Sequence, residues 1–124
     1  VRCACIDIGS NTTRLLVAER DQTRPGGLVE VVAHRAFVRL TAAERREGVP
    51  PEKAGLIAAA VAEQALAAQA AGARALRVVA TAALRDAPGR DALLGVLSAA
   101  AGVEVEVLSG EQEARLAFAG ATAG

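Results

Sequence analysis

The stretch "IDIGSNTTRLLV", residues 6–17, decides how the chain is read. It begins as a strand, breaks into the small and polar residues Gly9, Ser10, Asn11, Thr12 and Thr13, and resumes as a second strand. A short polar break between two apolar runs predicts an antiparallel hairpin. Backbone N–H groups converging in such a turn form an anion-binding nest, and the hydroxyls add donors to phosphate oxygens. Asp7, at the end of the first strand, supplies a carboxylate that can hold Mg²⁺ through water. An ordinary hairpin turn uses the same residue types, so the stretch alone leaves both readings open.

Outward from this turn, the pattern gives a strand at 2–8, a second at 13–20 and a third at 28–40, with "DQTRPGG" (21–27) as a loop. Residues 41–50 read as a charged connection. From Pro51 to Ala71 the apolar positions Leu56, Ile57, Ala60, Val61, Ala65, Leu66 and Ala68 recur at helical spacing, closed by Gly72. "ALRVVAT" (75–81) is a fourth strand, Asp91–Ala101 a helix ending at Gly102, and "VEVEVL" (103–108) a fifth strand. Ser109 opens a last helix. The order β-β-β-α-β-α-β-α predicts an α/β domain: an antiparallel meander extended by two right-handed crossovers into a mixed sheet flanked by helices.

The chain has 124 residues, enough for one domain with a real core, and 52% of them are hydrophobic while aromatics are only 2%. The core must therefore be built from Ala, Val, Leu and Ile. Fourteen basic and fourteen acidic residues balance to zero, which argues against general nucleic-acid binding. No apolar run reaches the roughly 18 residues needed to span a bilayer, so no membrane partner is expected. Cys3 and Cys5 fall on one face of the first strand and read as small hydrophobes on a buried face. His34 is the only histidine, too few ligands for a Cys/His metal site. A reduced, cytoplasmic protein is expected. The absence of Met and the abrupt end at "AFAGATAG" lead to the expectation of a fragment.

Two further stretches could carry chemistry. In "VVATAALRDAPG" (78–89), Thr81 ends a strand where open α/β sheets bind ligands, and Arg85 follows one helical turn later with a fork suited to phosphate. In "VLSGEQEARLAF" (107–118), Ser109 and Gln112 match a capping box, while Glu111 and Glu113 complement the helix dipole. A carboxylate at that edge of the sheet could instead be a general base.

Taken together and in this order, "IDIGSNTTRLLV", "VATAALRDA" and "VLSGEQEARLAFAGA" resemble the N-terminal region of the exopolyphosphatase/guanosine pentaphosphate phosphohydrolase (Ppx/GppA) family. The first motif occurs more loosely across the acetate-kinase, heat-shock and actin superfamily; the other two are more specific. The resemblance implies a ribonuclease H-like domain with strand order 3-2-1-4-5, facing a related domain across a cleft, and Mg²⁺-dependent hydrolysis of a terminal phosphoanhydride. It implies Asp7 at the metal, Gly9, Ser10, Asn11 and Thr12 around phosphate, Thr81 and Arg85 on the facing wall, and Glu113 as the water-activating base. Glu111 is left as a helix-dipole residue, and Arg39 recurs in the family.

Residues 1–124 would then be the N-terminal half of the phosphatase core, taking polyphosphate or guanosine pentaphosphate, with the full-length protein a homodimer. The chain departs from the pattern where Gly89 replaces a frequent Asn and Thr41 a usual Gly. The second phosphate loop, "DxGGGS", does not occur. A kinase-type phosphotransferase of the same superfamily and a non-catalytic nucleotide- or polyphosphate-binding module are the alternatives.

Overall fold

The first strand alternates small apolar residues with polar or exposed ones, which suits a strand with one buried face. In the computed structural model, which describes residues 1–21, 23, 27–109 and 111–112, this strand is β1 (Arg2–Ile8). It pairs antiparallel with β2 (Thr12–Arg20), Asp7 opposite Arg14 and Ile8 opposite Thr13. On its other side it pairs parallel with β4 (Ala75–Ala80), Asp7 in register with Val79. β3 (Leu28–Phe37) pairs antiparallel with β2, and β5 (Val105–Val107) parallel with β4. The sheet order is β3-β2-β1-β4-β5, the expected 3-2-1-4-5.

Two helices supply the lid over one face: α2 (Pro51–Ala70) and α4 (Arg90–Ala101), which pack on each other. The buried residues form one core, with Ala4, Ile6, Ile8, Leu15, Val17, Val78, Ala80 and Val105 from the sheet. Ile57, Val61 and Ala68 of α2 and Leu93, Leu97 and Ala101 of α4 meet them. As expected, α2 and α4 are followed by Gly72 and Gly102, at φ of 80° and 77°, where only glycine is free of strain. Among the described residues, no helix is long and apolar enough to cross a membrane.

The structure corrects several expectations. Residues 41–50 are not merely a connection: α1 (Ala42–Glu47) occupies most of them, closed by a capping box in which the Thr41 N–H donates to Glu44 Oε1 (2.8 Å) and the Glu44 N–H to Thr41 Oγ1 (3.1 Å). A four-residue turn of helix, α3 (Ala82–Arg85), follows β4. β3 stops at Phe37 and β5 covers three residues, because only Val105–Val107 find partners on β4. Leu56 and Leu66 face outward, 54% and 67% exposed. Cys3 and Cys5 do share a face, but it is the one opposite α2 and α4; Cys3 is exposed and Cys5 partly buried. The expected loop at 21–27 includes Gln22 and residues 24–26, which lie outside the described residues.

Two outcomes check this architecture. Ile57→Ala should cost about 2–5 kcal/mol of unfolding free energy, the range for emptying a packed aliphatic site, whereas Leu56→Ala next to it should stay within about 0.5 kcal/mol. Urea unfolding of both variants measures the contrast, and equal losses would place the α2 stripe wrongly.

The second outcome concerns Glu44, whose carboxyl is held below its ordinary value of 4.5 first by Lys53 Nζ (2.8 Å) and then by the Thr41 N–H. A carboxylate depressed in the folded state stabilises fully above its unfolded pKa and loses that contribution as pH falls through the folded one. The stability advantage of the wild type over Glu44→Gln should therefore shrink as pH drops below 4.5. An advantage unchanged down to the acid limit would show that the pairing contributes nothing.

Candidate phosphate site

β1, β4 and β5 run parallel, so their C-terminal ends reach one edge of the sheet. What the chain does as it leaves each strand builds the site. After Ile8 comes the turn Gly9–Asn11, closed by a hydrogen bond from the Gly9 N–H to the Thr12 carbonyl (2.9 Å). Gly9 has a negative φ, and the space beside it admits a Cβ at ordinary contact distance. A Cβ there would stand 3.4 Å from the Thr12 carbonyl oxygen and 3.9 Å from Thr81 Oγ1, in the gap between two loops. From the third side the Leu40 N–H donates to the Ser10 carbonyl (2.7 Å), so the chain leaving β3 braces the turn. Sequence reasoning missed this brace, since backbone contacts across 30 residues leave no mark in composition.

Thr81 follows β4. Its N–H and its hydroxyl both donate to the Ile8 carbonyl, at 3.2 and 3.3 Å, so the hydroxyl tethers the first loop instead of capping α3. Beyond β5, the Leu108 N–H donates to the Ala80 carbonyl (2.9 Å) and Arg85 Nη1 to the Leu108 carbonyl (2.9 Å). Arg90 Nη1 in turn donates to the Arg85 carbonyl (2.7 Å). One unbroken set of contacts thus links all three candidate stretches. Immediately after Leu108, the capping box expected at Ser109 is present: the Ser109 N–H donates to Gln112 Oε1 (2.8 Å) and the Gln112 N–H to Ser109 Oγ (3.1 Å). Glu111 and Gln112 are helical and exposed. Glu113, the candidate base, lies outside the described residues.

Asp7 shares its sheet face with Cys5 and stands in register with Arg14. Burial first, and the Asp7 charge second, push the Cys5 thiol above its ordinary value. A thiol so placed stays protonated at neutral pH and is no nucleophile. Among the described residues, no group of three or more His, Cys, Asp or Glu could hold a metal ion by itself. A single carboxylate with a buried oxygen, two residues before Gly9, is a donor set for a hard cation that keeps most of its waters, the usual manner of Mg²⁺. Asp7 would hold it. Two grooves of about 530 and 870 Å³ lie elsewhere, the first by Ala73–Leu76 and Gly102, the second by Val1, Cys3 and Leu28.

Gln64 was not singled out in the sequence. It is fully buried, and its Nε2 donates to the Thr13 carbonyl at 2.8 Å, where the loop enters β2. The signal was available: Ile57, Val61, Gln64 and Ala68 fall on one helical stripe, so a polar residue stands at a core position.

Comparison with known proteins matches this architecture. Exopolyphosphatase 1 of Mycobacterium tuberculosis is 34% identical over 119 residues, and an uncharacterized protein of Streptomyces coelicolor 38% over 121. The match takes in 95% of this chain and 34% of each relative, so the chain spans about a third of their length. The crystal structure of the Aquifex aeolicus Ppx/GppA family member superposes with a TM-score of 0.83 at 25% identity, over 95% of this chain and 38% of that one. The model of the Ppx/GppA phosphatase family matches residues 15–124, and the chain belongs to that family.

Proposed function

We propose that the whole protein is a Mg²⁺-dependent phosphohydrolase that removes the terminal phosphate of polyphosphate or guanosine pentaphosphate, and that these residues form one wall of its cleft. The observation that carries this reading is the convergence of the Gly9–Thr12 loop, Thr81, Arg85 and the Ser109 helix start at one edge of the sheet, joined by direct hydrogen bonds. Membership of the phosphatase family supports the reaction class.

Loop N–H groups and the Ser10, Asn11 and Thr12 side chains orient the phosphate chain by many weak, directed contacts. Thr81 and Arg85 meet it from the second strand end, where the guanidinium fork suits two phosphate oxygens. Glu113 takes the proton from the attacking water, so that the nucleophile arrives with its charge developing opposite the leaving phosphate. Mg²⁺, when bound at Asp7, neutralises phosphate charge. The whole protein works in the cytoplasm, where nucleotide and polyphosphate substrates occur, and as a homodimer.

Replacing a base should lower turnover while leaving affinity nearly intact. In the full-length protein Glu113→Gln is expected to reduce turnover by about 10²–10⁴, the usual worth of general-base assistance. Glu111→Gln removes the same charge two residues earlier in the chain, and should cost roughly 0.3–1 kcal/mol of stability with little loss of rate. Single-turnover phosphate release separates them: equal rate losses, or a normal rate for Glu113→Gln, would remove the proposed base. The isolated 124 residues should release phosphate negligibly from either substrate, because catalysis of this kind needs positioning from both walls. Robust turnover by the purified piece would show that the site is misplaced.

A further inference from the structure

We infer that Gln64 is a positioning residue, holding the phosphate loop in its binding shape from inside the core. The inference rests on the phosphate reading of the Gly9–Thr12 loop and adds to it a residue that touches no substrate. Gln64 and Thr13 are the two fully buried polar side chains among the described residues, and they are neighbours. Gln64 Nε2 donates to the Thr13 carbonyl (2.8 Å), lies 3.1 Å from His34 Nδ1 and 3.5 Å from the His34 carbonyl. It therefore grips β2 and β3 from α2 at the point where the loop ends.

Two features set this contact apart from ordinary core satisfaction. Gln64 Oε1 is buried and accepts no hydrogen bond among the described residues, so the amide is half satisfied. Half-satisfied buried amides are costly, and an apolar side chain of the same length would fill the volume without that cost. What the amide supplies is a fixed separation between α2 and one carbonyl.

That carbonyl belongs to Thr13, which pairs with Ile8 across the turn. Ile8 is in turn the acceptor for Thr81. The turn Gly9–Asn11 thus runs between Ile8 and the start of β2, held at its ends by Thr81 and Gln64 and in its middle by the Leu40–Ser10 brace. Loosening Thr13 lets the donors of the loop spread, and the loss should be felt by an anion that needs several of them at once.

The test uses the full-length protein and inorganic tripolyphosphate in EDTA, which holds turnover off. Gln64→Met keeps the length and removes the donor. It should weaken tripolyphosphate binding about 3- to 10-fold, the worth of one ordinary hydrogen bond. In a Ser10→Ala/Asn11→Ala background, where the loop has already lost two of its three side-chain donors, the same substitution should change binding by less than about twofold. A purely structural Gln64 would lower the melting temperature with binding unchanged, or act equally in both backgrounds, and either result overturns the inference.

Should Gln64→Met fail to fold, ¹⁵N spectra of the wild type decide. The Gln64 side-chain amide should shift with tripolyphosphate along the same titration curve as the Ser10 and Asn11 backbone amides, and its silence overturns the inference. Binding by the wild type without either coupling defeats Gln64 alone. No binding by the wild type, in EDTA or with Mg²⁺ restored, defeats the phosphate reading and Gln64 with it.

Discussion

The parallel pairing of β1 with β4 is the constraint from which the rest follows. β1 is the oldest part of the hairpin in chain order, yet its second edge is filled by a strand some 70 residues later. A parallel neighbour cannot be reached by a tight turn; it requires a crossover that returns to the starting end of the sheet. α2, with 20 residues, is that crossover, and α4 repeats the move to deliver β5. Both returns bring the chain back so that β1, β4 and β5 all point the same way. Every loop that leaves them is then delivered to one edge. The Ile8 carbonyl, taking both the N–H and the hydroxyl of Thr81, locks the first two of those loops together just past the last ladder pair.

Much of this was readable in the residues, for physical reasons that differ by element. The strands and α2 announce themselves because burial on one face forces a period of two or 3.6. The Ser109 cap was legible because Ser-x-x-Gln is a local signature. Thr41-Ala-Ala-Glu44 carries the same kind of signature and went unread, hidden by the charge run around it. Cys3 and Cys5 show the opposite failure: alternation says that two residues share a face, but not which face meets the helices. The handedness and placement of α2 and α4 decide that, and they are non-local. Gln64 and the Leu40–Ser10 brace are non-local too. A sequence shows which groups are available, while the sheet register decides which of them meet.

The arginines at the sheet edge act as struts between the segments that build it. Arg90 holds the carbonyl of Arg85, and Arg85 holds the carbonyl of Leu108, directly before the Ser109 cap. Together the two bonds tie successive segments of this edge, the chain after β4 to the chain after β5.

The near absence of aromatics has a consequence at the same site. Ala68 and Ala101 on the helices and Ala4 and Ala80 on the sheet belong to one buried core, beside larger residues such as Ile6, Ile57 and Leu97. Short side chains on both surfaces bring helix and sheet backbones close, and densely packed interiors give little when one dimension is set. Across this interface the Gln64 amide of α2 reaches the Thr13 carbonyl of β2 at 2.8 Å. The packed helix–sheet interface holds α2 at that distance, and Gln64, the one fully buried amide side chain among the described residues, spans it to Thr13.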